Sequence, residues 1–301
     1  MRSSPPLANF SAFVRIPPIS FNSPFEILHD ITYTAFLFTY TDYKTILFPI
    51  TVFAYAAASN ASNNRFLEVI IWIWIHLLQC NVSNQYKSID EDLVNRPWRP
   101  LPARRITLAG AKILRWALVP LCMLHSARYG KGVTFASGLL TITTVVYDEF
   151  GGAGHWIGKN ASAVFGYGSF EIGATIIMGN AQNLDSKAVC AIACSALVIF
   201  TTIHAQDCAD VEGDRALNRV TFPIYAPEAS RVTLFLALII WSIFLGQIWD
   251  ISIENMMLLC VFGSYIGWRY YCLRSVEADK RSYLIYNIWL FSIHLLPAIS
   301  K

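Results

Sequence analysis

The sequence predicts an all-α fold, a polytopic membrane bundle of about nine transmembrane helices whose polar loops cap a central cavity. Three observations carry this. Of 301 residues, 55% are hydrophobic and only 14% charged, against about 25% charged in a typical soluble domain. Mean hydropathy is +0.44. Apolar segments of the length needed to cross about 30 Å of hydrocarbon recur along the whole chain.

Composition also excludes alternatives. Low charge together with 19 Phe, 14 Tyr and 9 Trp rules out a disordered chain. A net charge of +3 without a basic stripe gives no footing for nucleic acid. The seven cysteines lie in or beside apolar runs without a CxxC pair, so they are expected to be reduced packing residues. Pro5, Pro6, Pro17, Pro18 and Pro24 interrupt the first 25 residues, so no cleavable leader is expected.

The predicted spans cover 44–59, 65–83, 106–126, 131–147, 160–180, 187–206, 230–248, 254–273 and 281–299. An amphipathic stretch at 25–41 is expected at the interface. The organisation is thus an N-terminal segment (1–43) followed by a single transmembrane domain (44–301). The third span is the weakest, because Lys112 and Arg115 lie inside it. About fifteen Lys and Arg fall in the N-terminal segment and in the loops after spans 2, 4, 6 and 8, while only Arg65, Arg128, Lys131, Lys187 and Lys301 fall on the other side. That bias assigns the even-numbered loops to the cytoplasm. Of four Asn-x-Ser sequons (Asn9, Asn60, Asn81, Asn160), only Asn60 would face the far side.

Two of these loops, 84–102 and 206–223, hold most of the notable acids. Shifting the sequence by 122 positions lays Asn84, Ser88 and Asp92 on Gln206, Asp210 and Asp214, and an Asn-Arg pair follows each (Asn95-Arg96, Asn218-Arg219). This is the mark of an internal duplication. On a continuous helix the i, i+4, i+8 spacing keeps three side chains on one slowly turning face. Two such faces brought together would concentrate Asp92, Asp210, Asp214, Glu91 and Asp207, and a cation would relieve their repulsion. The oxygen-only donor set points to Mg²⁺, which shares its coordination with substrate phosphates. Arg96, Arg99, Arg215, Arg219 and Lys87 stand beside the acids, as a diphosphate clamp requires. Ordinary solvated loops would also place acids and bases here, but matched spacing in two loops on one face argues against that.

These loops resemble the signatures of the UbiA superfamily of intramembrane prenyltransferases. The family's Asn-x3-Asp-x3-Asp is matched by Asn84-x3-Ser88-x3-Asp92, followed by Asn95-Arg-Pro97-Trp-Arg99-Pro100, and its Asp-x3-Asp by Asp210-x3-Asp214. Placement after spans 2 and 6 agrees, so the resemblance covers essentially the whole chain. Ser88 in place of the middle Asp, and a loop after span 4 that lacks Pro-Leu-Lys, look most like the fungal UbiA-type terpene cyclases.

The resemblance implies a membrane-bound, Mg²⁺-dependent terpene cyclase of secondary (terpenoid) metabolism acting on a prenyl diphosphate. Asn84, Asp92, Asp210 and Asp214 would hold the metal, with Glu91 and Asp207 assisting. Lys87, Arg99 and Arg215 would neutralise the leaving diphosphate, and Ser88 would donate a hydrogen bond there. Aromatic faces suit an allylic cation; the candidates are Tyr147 foremost, then Trp156, Phe165, Tyr167, Trp72, Trp74 and Phe150. His204 and His76 are expected to be packing residues. The runner-up is an intermolecular prenyltransferase with the same diphosphate machinery, and a non-enzymatic membrane protein is the third reading. Membrane lipid is the expected surrounding, the endoplasmic reticulum the default membrane, and no obligate protein partner is expected.

Overall fold

The computed structural model describes residues 23–299 apart from Leu217. Residues 1–22 of the N-terminal segment, with Asn9, Arg2 and Arg15, lie outside the described residues, as does Lys301. Fourteen α-helices follow one another: α1 Pro24–Thr39, α2 Phe48–Ala57, α3 Phe66–Lys87, α4 Ile89–Asn95, α5 Leu108–Ala127, α6 Lys131–Glu149, α7 Trp156–Met178, α8 Ser186–Thr202, α9 Val211–Ala216, α10 Phe222–Tyr225, α11 Pro227–Ile248, α12 Ile253–Cys272, α13 Val276–His294 and α14 Leu296–Ile299.

Side-chain caps set many of the starts. Ser23 and Glu26 form a reciprocal capping box ahead of Pro24. Thr107, Asp185, Ser252 and Ser275 accept a backbone N–H in the first turns of α5, α8, α12 and α13. All nine apolar segments are helical. Among the described residues six helical stretches are long and apolar enough to cross a membrane: 63–87, 108–127, 156–178, 186–209, 227–248 and 276–299. The 44–59 segment is shorter than expected, because a π-helical turn at Tyr43–Leu47 precedes the ten-residue α2.

The helices pack in antiparallel neighbours, α3 with α5, α5 with α6, α6 with α7, α7 with α8, α11 with α12, and α12 with α13; α2 lies against α7 and α13. Two larger apolar cores result, and a small third one joins α1, α3 and α5 around Phe38, Leu78 and Leu118. Of the larger two, one gathers α2, α3, α6 and α7 around Trp72, Ile50 and Phe170; the other gathers α8 and α11–α13 around Tyr270, Tyr286 and Trp289. With no hydrophobic drive between helices in lipid, close approach depends on small residues. A Cβ on Gly173 would lie 2.3 Å from the Trp72 ring, and one on Gly267 would lie 2.1 Å from Phe235. The outer faces stay apolar, with Ile113, Leu124, Leu258 and Val261 exposed. This is an integral membrane protein. Arg115, the doubtful residue of the third span, is buried and ion-paired to Glu149 at 2.6 Å.

Candidate active site

The two motif loops share one backbone pattern. α3 ends at Lys87 and α4 begins at Ile89, with Ser88 between them at φ −111°, ψ 29°. A 3₁₀ segment, Ile203–Ala209, ends before α9, with Asp210 between them at φ −109°, ψ 11°. The amide of Asp92 bonds the Ser88 carbonyl at 3.0 Å, and that of Asp214 bonds the Asp210 carbonyl at 2.8 Å. The middle residue of each comb is therefore a kink. The single continuous face expected from the spacing is broken there in both copies, which re-aims the third residue.

The partners differ between copies. Asp92 is buried, and both its oxygens accept from the Arg99 guanidinium at 2.8 and 2.9 Å. Asp207 and Asp214 are buried and share Lys159, at 2.7 and 3.5 Å. Arg219 reaches Asp214 at 3.6 Å and Glu91 of the first loop at 3.7 Å, so it spans the two copies. Backbone pairing places Lys159. The Trp156 amide bonds the Val220 carbonyl at 2.8 Å and the Val220 amide bonds the Gly154 carbonyl at 2.9 Å. This ties the α6–α7 connection to the second motif loop and presents the first turn of α7 to its acids.

A cavity of about 260 Å³ lies beside these groups. Asn84 and Gln206, the leading residues of the two combs, both line it, together with Tyr147, Asp148, Lys159 and Asp42. The rest of its wall is largely apolar and aromatic, formed by Ile46, Leu77, Leu140, Ala163, Tyr167 and Phe170. Tyr167 is held by donating to the Thr45 carbonyl at 3.0 Å.

The other candidates fall elsewhere. Ser88 spends its hydroxyl on the Asn84 carbonyl at 2.9 Å. Lys87 pairs with Glu149 at 2.6 Å, and hydrogen bonds from Lys87 and then Arg115 hold the Glu149 carboxyl below its ordinary range. Asp210 and Arg215 are exposed on the second loop. Trp72 donates to Ser126 and Trp74 to Tyr43. Trp156 stacks on Phe222, while Phe150 and Phe165 are exposed. His204 contacts the Ser230 carbonyl and His76 bridges Trp72 and Ser137, both as packing residues.

Sequence reasoning missed Lys159 as a partner of the acids, and Asp148, Asp42 and Phe170 as cavity residues. The available signal for Lys159 was its position immediately before the predicted 160–180 span, where a cation at the edge of the bundle needs a counter-charge.

A divalent cation suits the acidic end. No three Asp, Glu, His or Cys side chains among the described residues are grouped to hold a metal by themselves. Asp207 Oδ2 is nevertheless buried without a hydrogen-bond partner, and Asp214 Oδ2 is buried with only the Lys159 amine near it, at 3.5 Å. Carboxylate oxygens placed in this way fit Mg²⁺, which typically takes one or two carboxylates and completes its shell with water and substrate phosphates.

The helical bundle and its twin kinked acidic loops over an aromatic-walled cavity define a UbiA-type membrane enzyme. The sequence profile of the UbiA prenyltransferase family matches residues 46–291, and the chain belongs to that family. It is 30% identical over 275 residues to fumagillin beta-trans-bergamotene synthase of Aspergillus fumigatus, covering 89% of this chain and 92% of that one. It is 28% identical to a diterpene cyclase of Hericium erinaceus, covering 84% and 83%. The structure of a UbiA homolog from Archaeoglobus fulgidus bound to GPP and Mg²⁺ superposes with a TM-score of 0.59 at 15% identity, covering 90% of this chain and 97% of that one.

Proposed function

We propose that this protein is a Mg²⁺-dependent terpene cyclase that ionises a linear C15 farnesyl or C20 geranylgeranyl diphosphate, cyclises the carbocation and releases diphosphate. The observation that carries the reading is the cavity: Asn84, Gln206 and Lys159 stand on its wall beside Tyr147, Tyr167 and Phe170. A prenyl diphosphate has the same polarity, an anionic head on an apolar chain. The two curated relatives named above, a bergamotene synthase and a diterpene cyclase, support the reading.

Asn84, Asp207, Asp210 and Asp214 would hold the metal, whereas Asp92, expected to join them, has both oxygens on Arg99. Bound there, Mg²⁺ supplies charge neutralisation for the departing diphosphate. The chain's own residues do the rest. Lys159 holds the buried acids in place, and Arg99 and Arg219 bring cationic charge to the leaving group. The C–O bond breaks heterolytically, its electron pair leaving with diphosphate. A distal double bond then attacks the allylic cation, and loss of a proton ends the reaction. Tyr147, Tyr167 and Phe170 exclude water and offer ring faces to the positive charge. The charge bias of the loops supports placing the site on the cytoplasmic side of the membrane.

Membranes containing the protein, incubated with Mg²⁺ and either diphosphate, are expected to form a cyclic hydrocarbon or alcohol detectable by mass spectrometry. The product should disappear with EDTA and in an Asp92→Ala/Asp210→Ala variant. Recovery of both diphosphates intact would overturn the reading. The family's description as prenyltransferases supports a second reading, transfer to an aromatic or other small acceptor. Product that forms only when an acceptor is added would establish it.

A further inference from the structure

The duplicated loops are unequal in carboxylates. The second comb carries acids at its middle and last positions, Asp210 and Asp214, with Asp207 beside them. The first carries a hydroxyl, Ser88, at its middle position, and that hydroxyl is already bonded to the Asn84 carbonyl. Its one acid, Asp92, has both oxygens on Arg99. Two neighbouring acids are also engaged, Glu91 facing Arg219 and Glu149 held by Lys87 and Arg115. The first comb thus lacks an available anion of its own, and Asp90 beside it is exposed and off the cavity wall.

Asp148, near the C-terminus of α6, lies where that anion is missing. It lines the same cavity as Asn84, Lys159 and Gln206. Ser83 Oγ donates to its Oδ2, and Asn84, the residue after Ser83, stands on the same cavity wall. Among the described residues no Lys, Arg or His lies within ion-pair distance of its carboxylate. Asp42 lines the cavity too, with its Oδ2 already accepting from Asn81 and Thr41. An amide that gives its N–H to Asp148 turns its oxygen outward, which is the orientation a metal-binding asparagine needs.

We propose that Asp148 replaces the carboxylate absent at Ser88: it orients Asn84 and supplies the first half's anionic ligand for the divalent cation that accompanies a diphosphate. This rests on the proposed function for its ligand class, but it concerns cation binding and is read without turnover. Outer-sphere and ligand substitutions cost about 10- to 100-fold in metal affinity, and that sets the expected scale.

The test uses the full chain in lipid nanodiscs, titrated with Mn²⁺ in the presence of inorganic diphosphate and read by electron paramagnetic resonance. Asp148→Asn should weaken Mn²⁺ binding by at least about tenfold. Ser88→Asp added to Asp148→Asn should restore most of it, because the carboxylate returns at the comb position. Should Asp148→Asn not remain monodisperse, Asp148→Glu is measured instead, and a changed affinity or altered Mn²⁺ spectrum is expected. Wild-type affinity in Asp148→Asn, an unchanged spectrum in Asp148→Glu, or failure of Ser88→Asp to rescue would overturn the assignment. Mn²⁺ binding that depends on Asp148 in a protein that cyclises neither diphosphate would remove the cyclase reading and leave this inference standing.

Discussion

The two motif loops have the same backbone and different electrostatics. Both bend at the middle residue of the comb, with φ and ψ at Ser88 and Asp210 within 20° of each other. Yet Asp92 is closed off by Arg99, seven residues along the same loop, while Asp207 and Asp214 share Lys159 from a separate helix and Asp207 keeps one oxygen without a hydrogen-bond partner. The duplication fixes where side chains sit. The neighbours, which are not duplicated, decide what those side chains can bind. The second loop is thereby the open, ligand-ready half, and the first is a self-neutralised half that leans on α6.

The largest effect that would sharpen this contrast belongs to the open half. Asp214→Asn should cut product formation by about 10³-fold, the scale of removing one organised electrostatic contact from a buried site. Mass spectrometry of the product under saturating diphosphate measures it, and a loss under tenfold would erase the distinction between halves. The closed half should respond in stability instead. Arg99→Ala strands a buried Asp92 and should destabilise the protein by about 3 kcal/mol, whereas Asp92→Leu/Arg99→Met removes both charges and should recover most of that. Thermal unfolding in detergent reads both variants. Equal losses in the single and double variants would show that the pair is not self-contained.

Much of this was legible in the sequence. The apolar segments gave every long helix, because bilayer thickness imposes a length that hydropathy reports directly. The twin combs were visible because a repeat preserves spacing. The kinks were not, since nothing in Asn84-x3-Ser88-x3-Asp92 distinguishes a continuous helix from one broken at its middle residue. Nor was the pairing: Lys87 sits inside the first comb yet binds Glu149, while Lys159, 48 and 55 positions before its two acids, binds Asp207 and Asp214. Charge placement along the chain names candidates, but which cation meets which acid depends on helix packing across the bundle.

Lys159 is the residue on which the asymmetry can be tested next. It is mostly buried, and in Lys159→Met two buried carboxylates would face each other with only Arg219 nearby. Removing a buried counter-charge should cost about 2 kcal/mol, towards the low end because Asp214 keeps Arg219. Added Mg²⁺ should return part of the lost stability, since a cation can take the place of the ammonium between the two acids. No comparable rescue is expected for Arg99→Ala if the first loop is the closed half, so Mg²⁺ stabilisation of both variants alike would break the comparison.

The smallest effect concerns Lys87, which sits within the first comb but whose amine lies on the half-exposed Glu149. An ion pair this exposed contributes little to stability and weakens with salt. Lys87→Ala should therefore lower the melting temperature slightly at low salt and hardly at all at high salt. Glu149 would still keep Arg115 at 2.6 Å, which limits the loss further. A large, salt-independent drop would mean that Lys87 carries the first loop's structure. The two halves would then differ in which cation closes them, and both would be closed.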